Sequence, residues 1–272
     1  MQTDGVRTLY VIGMGAGDPE HITVAAVAAL NRLDVVLVLD KGEVKAELVE
    51  LREQMLARYV DGPAPRVAHG RDPERDRTPA SGDPVAYAAA VEDWRRRRAD
   101  VVEALLLEEL ADGQVGGVLV WGDPALYDST IGIVEDVAAR GSVELDWHVV
   151  PGVSSVSALV ARHRTGLNQV GGAVQVTTGR RLRAGLPPGV DDVVVMLDAH
   201  GEFAALEEDG LHIYWGAYVG TPDEILVAGP LAEVRQQILD AREQARARKG
   251  WIMDSYLLRR TSARGGAAPD GG

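Results

Sequence analysis

Three short segments carry residue types that could do chemistry. They are Gly13-Met14-Gly15-Ala16-Gly17-Asp18-Pro19, Gly122-Asp123-Pro124-Ala125-Leu126-Tyr127 and Pro151-Gly152-Val153-Ser154-Ser155. Each follows an apolar run, and glycine at such a turn permits positive φ and close approach of another molecule to main-chain N–H groups. The first segment invites a dinucleotide reading, with Asp40 at the spacing of a ribose-binding acid. Its register argues against that. The third glycine of the fingerprint should fall at position 18, which is Asp, and position 19 is Pro. A carboxylate there would repel a pyrophosphate at the helix start. Asp18 followed by Pro19 reads instead as an N-cap with proline at the first helical position.

Other chemistry is excluded or localised. The chain has no cysteine, so it has no disulfide, thiolate nucleophile or sulfur-ligated metal, which suits a reducing cytoplasm. The histidines His21, His69, His148, His163, His200 and His212 never fall at metal-ligand spacing with one another, so no metal site is expected. Ser154 and Ser155 do not sit in a Gly-x-Ser-x-Gly elbow. A net charge of −13 opposes general binding to nucleic acid or an anionic membrane surface. No segment approaches the roughly 20 apolar residues of a membrane span, and a soluble protein is expected. The arginines are clustered. Arg71, Arg75 and Arg77 share one stretch, Arg180, Arg181 and Arg183 another, and the run at 95–98 reads as a solvated helix face.

Residues 8–13 and 35–39 read as strands buried on both faces, with a helical pattern at 19–32 between them. A helix at 45–57 leads to 62–84, which is polar and broken and reads as a long loop. Helix 85–110, strand 118–121, helix 129–139 and strand 145–150 complete an alternating pattern, which implies a parallel sheet covered on both faces. Beyond residue 151 the texture becomes more β-rich. Strands are expected at 174–178, 193–197, 212–215, 225–228 and 251–257, and helices at 154–163 and 230–248. The fold class is therefore α/β in two domains. An N-terminal, mainly parallel five-stranded domain spans 1–151, a C-terminal mixed-sheet domain spans 152–261, and an active-site cleft is expected between them. A small, polar tail at 262–272 is expected to be disordered. With 46% apolar residues but one Phe, the core must be built from Val, Leu, Ile and Ala. In a parallel sheet the three glycine corners lie at the carboxyl ends of strands, where ligands bind.

The three corners, in this order and spacing, resemble the tetrapyrrole methylases, which use S-adenosylmethionine in cobalamin and sirohaem synthesis. The resemblance covers about residues 8–258. The phrases Leu39-Asp40-Lys41-Gly42, Thr177-Thr178-Gly179-Arg180, Val195-Met196-Leu197-Asp198-Ala199-His200 and Tyr214-Trp215-Gly216-Ala217-Tyr218 are most similar to the deacetylating branch that methylates C-1 of precorrin-5. Another precorrin or uroporphyrinogen C-methyltransferase, or a non-catalytic S-adenosylmethionine- or tetrapyrrole-binding member, is the alternative. The resemblance implies that Gly122, Asp123, Leu126, Ser154, Ser155, Leu197, Ala217, Tyr218, Ile252 and Met253 contact the methyl donor. Gly15, Ala16 and Gly17 would border an anionic tetrapyrrole whose carboxylates suit the forks of Arg180 and Arg181. Loss of acetate needs a base and an oxyanion stabiliser, for which Asp18, His21, Lys41 and Tyr127 are the candidates. Family members are commonly homodimers. The chain departs from the family pattern at Ala16, where most members have proline, and at Leu197-Asp198-Ala199, where most have Met-Gly or similar.

Overall fold

A computed structural model describes residues 5–40, 46–74, 84–207 and 209–261. The chain divides into two compact units, Met1–Ser154 and Ser155–Gly272. The first is built on strands β1 (Arg7–Gly13), β2 (Val35–Asp40), β3 (Arg66–Arg71), β4 (Val115–Val120) and β5 (Leu145–Val150). They form one sheet in the order β3-β2-β4-β1-β5, and every pairing in it is parallel. Parallel strands need crossovers, and the apolar runs between the strands supply helices α1 (Val24–Leu30), α2 (Ala46–Tyr59), α3 (Pro84–Glu109) and α4 (Thr130–Arg140). Alternation along the strands sends Leu9, Val11, Val35 and Leu37 to one core with Leu105, Leu106 and Val134. Ile12, Val36 and Val38 go to another with Leu30 and Met55. Burial on both faces is why these runs carry no polar alternation.

Two expectations about this unit are corrected. The helix expected over 19–32 is two pieces, a 3-10 turn at Pro19–His21 and then α1. The chain extends at Ile22 (ψ 140°), and Thr23 restarts the helix with its hydroxyl accepting from the Ala26 N–H at 3.1 Å. The 62–84 stretch is not all loop, because it contains β3. This strand pairs with β2 along its whole length, Val35–Arg66 through Asp40–Arg71. It lies at the sheet edge and buries only Ala68, so it needs no apolar periodicity. Residues 75–83, with Arg75 and Arg77, lie outside the described residues, as do Lys41 and the 262–272 tail.

The run at 95–98 is a solvated face only in part. Arg98 is 7% exposed, pairs with the buried Asp72 at 2.9 Å, and donates to Ser129 Oγ at 2.8 Å. Its guanidinium lies 4.7 Å from the Trp94 ring centroid. Arg96 and Arg97 meet Asp93 on the outside.

The second unit has strands β6 (Val174–Thr178), β7 (Asp192–Met196), β8 (Leu211–Ala217), β9 (Ile225–Pro230) and β10 (Asp254–Arg260), in the order β6-β7-β10-β8-β9. Only β6 and β7 run parallel; the remaining pairs are antiparallel. Helices α5 (Ser155–Arg162), α6 (Gly179–Leu182) and α7 (Leu231–Lys249) complete it. Its core gathers Val193, Val195, Ile213, Trp215, Tyr256, Leu258 and Ile238, with Phe203 from a 3-10 turn at Glu202–Ala205. Among the described residues, no helix is long and apolar enough to cross a membrane.

Candidate functional site

In the first unit, β4, β1 and β5 are neighbours and parallel, so their carboxyl ends deliver the three glycine corners side by side. The corners interlock through backbone. Gly15 N–H donates to Gly122 O at 3.2 Å, and Gly122 N–H donates back to Gly15 O at 2.8 Å. Asp123 Oδ2 accepts from Gly152 N–H at 2.9 Å, while Oδ1 accepts from Ala125 N–H at 2.8 Å. A Cβ on Gly13 would lie 2.7 Å from Gly152 N and 2.8 Å from Gly122 O, and one on Gly152 would lie 2.2 Å from Gly122 O. Glycine is required here because three main chains meet, with no phosphate needed to explain it.

The sequence-predicted residues of this unit have distinct surroundings. Asp18 caps the 3-10 turn, its Oδ1 accepting from Glu20 N–H at 2.9 Å, so the N-cap reading of Asp18-Pro19 holds. His21 packs under Gly15, whose added Cβ would meet His21 Cβ at 2.4 Å, and its buried Nδ1 has no hydrogen-bond partner. Gly15, Ala16 and Gly17 are all buried. Leu126 N–H closes the turn onto Asp123 O at 3.2 Å. Tyr127 is 45% exposed and takes φ 52°. Ser154 ends the first unit, and Ser155 opens α5.

In the second unit the remaining donor candidates meet at one end of the sheet. Strand β7 ends at Met196 and passes to Leu197, β8 ends at Ala217 and passes to Tyr218, and the antiparallel β10 between them begins just after Ile252 and Met253. The register places Ser255 opposite Met196 and Asp254 opposite Ala217. Tyr218 N–H donates to Met253 O at 2.9 Å, and its hydroxyl donates to Trp251 O at 2.5 Å. Because β6 runs parallel to β7 with Thr178 opposite Met196, Arg180 and Arg181 on α6 reach the same end; both are exposed.

Backbone strain marks these segments. Among the described residues, four non-glycine residues have positive φ: Tyr127, Arg164, Leu197 and Tyr218. Three of them are residues singled out from the sequence. A left-handed bulky residue costs about 1–3 kcal/mol and persists only where the surroundings impose it, often at ligand clamps. Leu197 adds a second oddity, an apolar side chain left 65% exposed.

Sequence reading missed what lies under these segments. The Asp198 carboxylate is 3% exposed. It accepts from the N–H groups of His200, Gly201 and Glu202 and, at 2.6 Å, from the Tyr256 hydroxyl. A Cβ on Gly179 would sit 2.5 Å from it. Asp254 pairs with Arg242 and accepts from Trp215 Nε1 at 2.8 Å. Burial pushes the Asp254 carboxyl up to about 6, against the opposing pull of Arg242. Burial, helped by the Asp198 charge, also drives the Tyr256 hydroxyl far above its ordinary value. These groups anchor the loops through Leu197 and Met253. The only sequence signal was the departure at Leu197-Asp198-Ala199.

Residues 8–235 match the family model of the Tetrapyrrole (Corrin/Porphyrin) Methylases. The chain belongs to this family. Among curated relatives of this methylase, Precorrin-6A synthase [deacetylating] from Sinorhizobium sp is 48% identical over 260 residues, covering 96% of this chain and 98% of the relative. Among solved structures, a cobalamin synthesis related protein (CobF) from Corynebacterium diphtheriae superposes with TM-score 0.79 at 32% identity, covering 94% of this chain and 100% of that one. The uroporphyrin-III C-methyltransferase of Thermus thermophilus, in complex with S-adenosylhomocysteine, shares the fold. Its TM-score is 0.55 at 19% identity, covering 93% of this chain and 92% of that one.

Proposed function

We propose that this methylase transfers a methyl group from S-adenosylmethionine to C-1 of precorrin-5 and releases acetate, giving precorrin-6A and S-adenosylhomocysteine. The observation that carries this reading is the 48% identity to a precorrin-6A synthase along nearly the whole of both chains. The precorrin-2 C(20)-methyltransferase of Sinorhizobium sp matches over only 56% of this chain, at 31% identity. The deacetylating branch is therefore favoured over a methylase of another ring carbon.

The donor, when bound, supplies a sulfonium methyl group to a carbon nucleophile by direct displacement, with no metal or covalent enzyme intermediate required. What the protein contributes is position. The local structure suits that task, because exposed, left-handed Leu197 and Tyr127 offer apolar and aromatic surface on strained backbones. We assign Gly122, Asp123, Leu126, Ser154, Ser155, Leu197, Ala217, Tyr218, Ile252 and Met253 to holding the donor. Asp123 acts chiefly by fixing the corners, since both its oxygens are engaged by main-chain N–H groups. Arg180 and Arg181 suit substrate carboxylates through charge-assisted forks. Gly15, Ala16 and Gly17 are assigned to the tetrapyrrole border through their main chain, and Tyr127 is assigned as an oxyanion donor. The enzyme is proposed to work as a cytoplasmic homodimer, which light scattering would test. The deciding experiment incubates the protein with precorrin-5 and methyl-labelled donor. Labelled precorrin-6A with an equivalent of acetate is expected. Methylated product without acetate would point to another branch, and no binding of S-adenosylhomocysteine in calorimetry would remove the methyltransferase reading.

A further inference from the structure

The neighbouring strands β2 and β3 carry a pair of side chains, Asp40 and His69, that methyl transfer does not use. His69 Nδ1 lies 2.9 Å from Asp40 Oδ2. The register explains the meeting. His69 stands opposite Val38, and Asp40 is two residues further along β2, so both side chains leave the same face of the sheet. A carboxylate accepts only, so Nδ1 carries the proton and donates, leaving the lone pair on Nε2. Both side chains are about half exposed, 53% and 47%, and water reaches them. A base oriented by a second group is the arrangement that proton abstraction needs. The charged neighbours are Arg52 of α2, which interacts with Asp40, and Arg71, which follows His69 on the same face of β3.

The pair also stands at the ligand-binding end of the sheet. It lies at the carboxyl ends of β2 and β3, the end that bears the glycine corners. Strands β2 and β4 share only two registered pairs, Val35–Gly116 and Val36–Gly117, whereas β2 and β3 stay paired to Asp40–Arg71. Toward their carboxyl ends, β2 and β3 therefore part from β4, opening the sheet beside the Gly122 corner. Open parallel sheets bind ligands at such crevices.

We infer that His69, oriented by Asp40, is the general base for acetyl removal, an inference that rests on precorrin-5 being the substrate. Nε2 takes a proton from a water molecule whose oxygen bonds to the acetyl carbonyl carbon. The bond from that carbon to the ring then breaks, its electron pair staying on the ring carbon, and acetic acid leaves. The ring carbon uses that pair to accept the donor methyl. The imidazolium returns its proton to solvent, carrying away the positive charge that the sulfonium loses, and acetic acid ionises to acetate with release of a second proton. No oxidant is consumed.

The test compares wild type, His69→Asn, His69→Gln and Asp40→Asn. Wild type should release acetate from precorrin-5, and both His69 variants should do so ~10²-fold more slowly or worse. Their melting temperatures and S-adenosylhomocysteine affinities should match wild type, since His69 is exposed. Asp40→Asn should keep part of the activity, lowering kcat for acetate release with little change in KM, as expected of a positioning residue. Wild-type acetate release with an unaltered pH profile in both His69 variants would overturn the proposal. Failure of the wild-type protein itself to release acetate would remove the substrate reading and the proposal with it, an outcome that needs no variant to be recognised.

Discussion

The Asp123 carboxylate reaches across the end of β1 to the Gly152 N–H at 2.9 Å, joining the corner that follows β4 to the corner that follows β5. Its other oxygen closes its own turn on Ala125 at 2.8 Å. Hydrogen bonds to a charged acceptor contribute about 1.5–3 kcal/mol. Asp123→Ala should therefore lower unfolding free energy by about 2–3 kcal/mol in urea titration. The same variant should weaken S-adenosylhomocysteine binding in calorimetry. Asp123→Asn, which keeps one oxygen acceptor, should lose less of both. Unchanged affinity in Asp123→Ala would remove this residue from the donor site.

Gly152→Ala should be among the most damaging small substitutions in the chain. Its Cβ would stand 2.2 Å from Gly122 O and 2.9 Å from Gly13 Cα, and those are main-chain atoms that cannot swing aside. A loss of about 3 kcal/mol is expected, at the upper end of the usual range for overpacked cores. Gly113→Ala is the control. Gly113 has φ 79° with nothing within 4 Å of its added Cβ, so it should lose only about 1 kcal/mol for the left-handed backbone. Equal losses at the two positions would show that backbone crowding is not what fixes glycine at 152.

Asp254 gives a pH dependence opposite to that of a surface ion pair. Its carboxyl rises from 3.8 to about 6 on folding because burial outweighs Arg242. Between those values the folded protein holds a proton that the unfolded chain has lost, so this group's contribution to stability falls as pH rises from about 4 to 6. The rise corresponds to about 3 kcal/mol. Asp254→Asn removes the titration. Its stability deficit relative to wild type should be largest near pH 4 and shrink toward pH 7, in urea midpoints measured across that range. A deficit that instead grows with pH would mean that attraction to Arg242 dominates desolvation.

How much of this was legible depends on where the relevant physics lies. The strands of the first unit were readable because burial on both faces forces continuous apolar runs such as 35–39. Strand β3 was not, because an edge strand that buries only Ala68 leaves no apolar pattern, and the His69–Asp40 pair stayed hidden with it. The N-cap at Asp18 was local and visible, whereas Thr23 as a second cap turned on whether a hydroxyl or the next helical turn would satisfy Ala26 N–H. Arg98 looked like part of a charge run, and only the fold brings Asp72 to it. The buried Asp198 is the sharpest case. The sequence shows a departure from the family pattern, but the partner that makes it structural, Tyr256, is 58 residues away.

Leu197 separates binding from stability. At φ 53° with its side chain 65% exposed, it strains the backbone and buries little, so the residue does not earn its place through folding. Leu197→Gly relieves a left-handed conformation that costs about 1 kcal/mol or more, offset in part by the greater freedom of glycine in the unfolded chain. The melting temperature of Leu197→Gly should be equal to or slightly above that of wild type. Its S-adenosylhomocysteine affinity should fall roughly tenfold, as expected when about 1.4 kcal/mol of apolar contact is lost. Leu197→Ala should share the affinity loss without the gain in stability, because alanine keeps the strained φ. A Leu197→Gly protein that binds as tightly as wild type would show that the strain at 197 serves only the Asp198 anchor behind it, with its acceptance of the His200, Gly201 and Glu202 N–H groups.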